Sequence, residues 1–173
     1  PGWVSGTGTG NVSRDTAIKS VGAASVKHTT STPDYYGCLR LHFSPDTRPN
    51  CNKYPTLHFQ IRREAAFSGA CTLALMDNTA KTVSKEIQIQ ADKWVNQKFL
   101  VGKKYADEWQ GPADSNWEAI TEILWYMHFN GTGTGNFWID NLFFNGARWS
   151  ATYGTGSREL SETDEELHSD NEC

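Results

Sequence analysis

Four histidines, His28, His42, His58 and His128, fall within strand-like runs, and no single run holds a pair at metal-ligand spacing. Glu64, Glu86 and Glu122 supply the carboxylates that glycoside hydrolysis would require. Such chemistry needs two carboxyl groups facing one cleft, and their spacing singles out no pair. The chain carries no GxSxG, HExxH, P-loop or kinase-like motif. These residues point away from catalysis, and the expectation is a protein that is not an enzyme.

Binding chemistry is better represented. Thr56–Arg62 reads TLHFQIR, which turns Leu57, Phe59 and Ile61 to one face and His58, Gln60 and Arg62 to the other. Ile120–Asn130 likewise buries Ile123, Trp125, Met127 and Phe129 and leaves Tyr126 and His128 outward. Aromatic rings stack on the C–H faces of sugars, while Arg, Gln and His hydrogen-bond hydroxyl groups. His58, Gln60, Arg62, Tyr126 and His128 are therefore the candidate carbohydrate contacts, with Trp109 on a loop as a rim contact. They serve only if the two strands share one sheet.

The elements that must position them are strands. Period-2 runs recur every 10 to 20 residues at 12–14, 24–29, 36–43, 56–62, 71–76, 83–90, 94–101, 120–130 and 137–145, separated by Gly, Pro, Asn and Asp. No amphipathic helix of ten residues is legible; 105–109 and 116–120 are short helical candidates. That pattern predicts an all-β fold, a two-sheet antiparallel sandwich of jelly-roll type. Much of the aromatic content, 7 Trp, 6 Tyr and 8 Phe in 173 residues, is then core. The hexapeptide GTGTGN occurs at 6–11 and again at 131–136. The second copy reads as a hairpin loop between two strong strands.

Charge divides the chain. Residues 159–173 hold seven of the 20 acids and no Lys or Arg, leaving 13 acids against 16 bases in residues 1–158. The domain reading is a mildly basic sandwich over 1–158 and an acidic tail over 159–173, able to dock on a basic neighbour and support self-association. Lys and Arg form no basic stripe, so nucleic acid is not an expected partner, and no apolar stretch is long enough to span a membrane. Cys38, Cys51 and Cys71 are disulfide candidates, because a loop cysteine between two strand cysteines suits an oxidising compartment. Cys173 has an open role. Asn11 and Asn130 begin glycosylation sequons. The chain begins Pro-Gly-Trp, with no signal peptide, and reads as a mature protein or excised module of extracellular origin.

Asp114–Asn145, DSNWEAITEILWYMHFNGTGTGNFWIDNLFFN, resembles the C-terminal half of jelly-roll carbohydrate-binding modules, in which a strand leads through a Gly-rich segment into a final strand containing Ile-Asp. KWVNQKFLV and VSRDTAIKSVGAASVK resemble earlier strands of those modules, so the likeness runs in order over about residues 3 to 146. The resemblance implies a non-catalytic module that binds a polysaccharide along a concave sheet. It also implies a structural calcium ion, for which Asp15 and Asp140 are the matching ligands, with backbone carbonyls and Asn11 completing the oxygen shell. This chain lacks the acidic opening that often adds a ligand. A second reading is a structural subunit of an extracellular filament or surface assembly built on the same sandwich.

Overall fold

The computed structural model describes residues 2–6, 10–145, 147–149 and 158–160; for 31–36, 130–133, 147–149 and 158–160 the backbone alone is described. Ten strands form: β1 (Gly2–Ser5), β2 (Gly10–Asp15), β3 (Ser25–His42), β4 (Thr56–Arg63), β5 (Phe67–Asp77), β6 (Thr82–Gln88), β7 (Val95–Leu100), β8 (Ile120–Phe144), β9 (Ala147–Trp149) and β10 (Arg158–Leu160). The only helical turns among the described residues are short 3-10 segments at Pro45–Thr47 and Lys103–Glu108.

Two strands are long enough to belong to both layers. β3 and β8 run antiparallel from Val26↔Ile139 to His42↔Glu122, with register shifts between Thr30 and Tyr36. Below the shift, β3 and β8 join β2, β4 and β7 in one sheet, in the order β2-β3-β8-β4-β7. Above it they join β1, β5 and β6 in a second, in the order β1-β3-β8-β5-β6. We call these the back and the front sheet. Two antiparallel five-strand sheets face each other, the sandwich the periodicity predicts. The second GTGTGN copy is not a hairpin loop. The backbone stays extended through 131–136 and carries β8 from one sheet into the other.

A run of aromatic rings at offset and edge geometries that favour π-systems passes through the core, crossing from the front sheet to the back between Trp125 and Phe59. Trp3 stacks on Trp125 at 5.7 Å, Phe59 meets Trp125 edge-on at 5.5 Å, and Phe59 continues to Phe99 at 5.9 Å. Phe99 then meets Trp109, which meets Trp117 in the connection between β7 and β8. That connection is also fixed by Asp77, whose carboxylate accepts the amides of Thr79, Lys81 and Asn116.

The cysteines differ from expectation. Cys38, Cys51 and Cys71 are all buried free thiols. Cys38 pairs with Tyr126 and Cys71 with Met127, so alternation sends them to opposite faces of the front sheet. Cys51 donates its amide to Trp117, near the start of β8. Met127 lies seven residues beyond Ile120, about 23 Å along an extended strand, too far for a bridge to Cys71. Burial raises all three thiols above the usual range, Cys38 to about 11. The described cysteines thus give no support to an oxidising compartment. Cys173, the Asn130 side chain and residues 161–173 of the acidic tail lie outside the described residues; Asn11 is exposed on β2.

His28 is fully buried, stacked on Phe137 at 5.0 Å, with Nε2 at 3.3 Å from Ser5 Oγ and no hydrogen-bond partner for Nδ1 among the described residues. Burial lowers its pKa from 6.5 to about 4. The unfolded chain therefore takes up a proton below pH 6.5 that the folded chain refuses until about pH 4. Stability falls as pH drops through this window, by about 3 kcal/mol at its foot, and His28 adds no dependence above it. Denaturant melts of the wild type and His28→Phe between pH 7 and 4 check this. The variant shows a distinctly flatter profile, and equal slopes would exclude His28 as the source.

Candidate functional site

The six candidate contacts do not converge. β3–β8 pairing puts Tyr126 and His128 on the outer face of the front sheet, and β4 carries His58, Gln60 and Arg62 to the outer face of the back sheet. These faces point away from each other across the core. Trp109 belongs to neither. It is 5% exposed, donates its indole N–H to the Leu100 carbonyl at 3.0 Å and lies between Phe99 and Trp117. It is a core residue, not a rim contact.

On the back sheet the outward side chains are engaged among themselves. His58 lies flat on Phe143 at 4.5 Å. Gln60 Nε2 donates to Asn96 Oδ1 at 2.6 Å. Arg62 packs over Trp138 at 6.0 Å, and its Nη2 lies 3.9 Å from Asp92. Lys27 covers the same indole from β3, leaving Trp138 only 2% exposed. The loop between β2 and β3 folds over this face because its Ser20 and Val21 amides donate to Asp140 Oδ2 at 2.7 and 3.0 Å.

That loop also decides the calcium expectation. Asp15 Oδ1 accepts the amides of Ala17 and Ile18, and its Oδ2 accepts Trp138 Nε1 at 2.9 Å. Asp140 Oδ1 accepts the Asn141 amide at 2.7 Å. Both carboxylates thus face N–H donors, which lower the Asp15 pKa, the Ile18 amide foremost. A calcium shell needs oxygen acceptors on all sides, and no group of three or more His, Cys, Asp or Glu side chains gathers among the described residues. The residues present do not fit the ion. They clamp a loop with hydrogen bonds instead.

The front sheet presents a different surface. Its outward residues form rows across the strands: His42, Glu122 and Met76; Arg40, Leu124 and Ala74; Cys38, Tyr126, Thr72 and Glu86. Cys38, Leu124 and Ala74 lie buried, with the half-buried Tyr126 and Met76 packed against them. The result is a small apolar cluster with a polar margin. Glu122 is 9% exposed, with Oε1 at 3.2 Å from His42 Nδ1 and Oε2 at 3.5 Å from Arg40 Nη1. His128 Nε2 lies 3.2 Å from Thr72 Oγ1. Sequence alternation already placed Arg40 and His42 on one face of β3. What it lacked was the register that sets them beside Glu122 and Tyr126.

No protein-family model and no curated protein matches this chain. Solved structures share its fold. An exo-β-agarase superposes with a TM-score of 0.62 at 14% identity, covering 81% of this chain and 22% of the agarase chain, so this chain spans about a fifth of that enzyme's length. The family 30 carbohydrate-binding module of a cellulosomal cellulase from Clostridium thermocellum gives 0.60 at 11% identity, over 82% of this chain and 88% of the module. A family 11 module from the same organism, in complex with a β-1,3-1,4-mixed-linked tetrasaccharide, gives 0.55 at 12% identity, over 82% and 85%. At these identities the likeness is one of fold: the chain has the jelly-roll sandwich of carbohydrate-binding modules.

Since the Asp15 and Asp140 oxygens are held by N–H groups, millimolar calcium and EDTA leave the melting temperature unchanged. Asp15→Ala frees the Trp138 indole and, as the loss of part-buried hydrogen bonds to a charged group, lowers stability by about 1 to 2 kcal/mol. Differential scanning calorimetry with and without calcium checks both, and a rise of several degrees on adding calcium would restore the metal site.

Proposed function

We propose that this chain is a non-catalytic module that binds a polysaccharide along the front sheet. The observation that carries the reading is the half-buried Tyr126 ring, set over the small apolar cluster of Cys38, Leu124 and Ala74 with Arg40, His42 and Glu122 further along the same face. The Tyr126 ring offers a flat stacking partner for the C–H face of a sugar. Arg40, His42 and Glu122 present donors and acceptors already oriented by one another, which suits adjacent hydroxyl groups. His58, Gln60 and Arg62 take no part, since they lie on the opposite face.

Binding fits the carboxylates better than hydrolysis does. Glu122 and Glu86 share the front face, two strand spacings across and four residues along, about 16 Å apart at Cα. The carboxyl groups of an inverting pair sit within about 9.5 Å of each other, whereas the Glu122 carboxylate turns to Arg40 and His42 on β3, the side away from Glu86. Glu64 instead accepts the backbone and side-chain amides of Asn136. The fold shared with complete binding modules supports the same reading. An extracellular setting belongs to this proposal because such polymers are found outside cells. The filament-subunit reading rests on the tail, and no described residue favours it.

Affinity gel electrophoresis against mixed-linked β-glucan, xyloglucan, cellulose derivatives and agarose tests the proposal. At least one retards the wild type, and Tyr126→Ala and Arg40→Ala each weaken retention about tenfold or more. His58→Ala and Gln60→Ala leave it unchanged. Retention lost with the back-face variants and kept with the front-face ones would move the site to the other sheet, and no retention by any polymer would end the proposal.

A further inference from the structure

A second surface has the makings of a site, and no part of the front-face reading depends on it. Where β6 of the front sheet passes to β7 of the back sheet, the edge of the sandwich opens into a groove of about 630 Å³. Arg63 at the end of β4 forms its base. The Arg63 guanidinium is held in place by backbone carbonyls: Nε donates to Ile89 at 2.7 Å, and Nη1 to Glu64 and Phe67 at 3.1 and 2.7 Å. Nη2 is directed to the side of Gly69. A Cβ at that position would come within 2.9 Å of Nη2 and 3.0 Å of the Ile89 carbonyl, and the glycine has φ +93°. Only glycine keeps this part of the floor low.

The walls are polar and planar. Trp94 is half-buried and lies at the corner where the chain enters β7. Gln88, Gln90 and Asn96 contribute side-chain amides. Gln88 gives its Nε2 to Glu86, and Asn96 uses its Oδ1 for Gln60, while Gln88 Oε1 and Asn96 Nδ2 have no hydrogen bond to another described residue. The lining contains one cation and no carboxylate. Glu86 stands beyond Gln88, and Asp92, whose amide donates to the Arg63 carbonyl, lies 3.9 Å from Arg62 and also acts on the Arg63 charge from outside the lining.

We propose that this edge groove is a second saccharide site, selective for a pyranose carrying an anionic substituent. The Trp94 ring takes the face of the sugar, Arg63 Nη2 takes the carboxylate or sulfate ester, and Gln88, Gln90 and Asn96 take the hydroxyl groups. A guanidinium fixed by three carbonyls loses little freedom when it binds an anion. The volume accommodates one to two sugar rings, within the range of small-ligand sites.

The test uses an oligogalacturonate as the carboxylate probe, a κ-carrageenan oligosaccharide as the sulfate probe and a cello-oligosaccharide of equal length as the neutral control. NMR titration of the whole chain follows the Trp94 indole and the Gln88, Gln90 and Asn96 side-chain amides. At least one anionic probe shifts these signals and binds at least about tenfold more tightly than the neutral control, with an affinity that falls as salt is raised. Whichever anionic probe binds names the substituent. Trp94→Ala abolishes the shifts, and Gly69→Ala weakens them by filling the floor. Tyr126→Ala and Arg40→Ala do not alter them, so a front face that binds no polymer leaves the groove's result readable. The proposal falls if the neutral oligosaccharide binds as well as both anionic ones, if Trp94→Ala binds as the wild type does, or if the shifts cluster at Tyr126.

Discussion

The antiparallel pairing of β3 with β8 is the constraint from which the rest follows. It runs from Val26↔Ile139 in the back sheet to His42↔Glu122 in the front sheet, and every other sheet strand except β6, β7 and β10 is hydrogen-bonded to one of these two. A one-residue slip in this ladder would turn Trp125 and Met127 to solvent and Tyr126 and Leu124 into the core. The ring contacts of Trp125 with Trp3 and Phe59 therefore fix the register of the whole molecule. The register in turn fixes which polar groups meet on each outer face.

The two outer faces come from one alternation rule and end up unlike because of a single loop. Asp15 and Asp140 hold the β2–β3 connection against the back sheet and draw Trp138 into cover. No comparable connection is tied down by described hydrogen bonds over the front sheet, where Tyr126 and Met76 pack on the row of Leu124 and Ala74. The carboxylates that the family likeness suggested as metal ligands thus act one step removed from binding. They close one face and leave the other without such a cover among the described residues.

Period-2 alternation was enough to read the strands, the inward sets and the sandwich, because burying one face of a strand leaves a mark at every second residue. It also gave the outward set of each strand. It could not say which outward sets share a face, since that depends on the pairing of distant strands; Tyr126 and Gln60 alternate equally well and end up on opposite sides. Trp109 misled for a related reason. Loop position suggests exposure, yet the long connection packs its rings back onto Phe99. Glycine misled at 131–136, where a run able to turn sharply instead stays extended across two sheets. The cysteines were a matter of distance, which spacing in sequence does not report. Trp94 had a signal, an aromatic residue at the start of a strand run, but only the meeting of β6 and β7 gives it polar neighbours.

The two surfaces place different demands on a ligand. On the front face several polar groups are already engaged: Glu122 is paired to Arg40 and His42, and Thr72 lies against His128. A sugar hydroxyl there replaces an existing contact, so each ring gains little, and useful affinity requires several consecutive rings along the sheet. That suits a polymer. In the edge groove Arg63 Nη2 is oriented by bonds its ligand need not break, and one charged substituent can supply most of the interaction. The two meet at Gln88, which follows Glu86 on the outer face of β6 and also lines the groove.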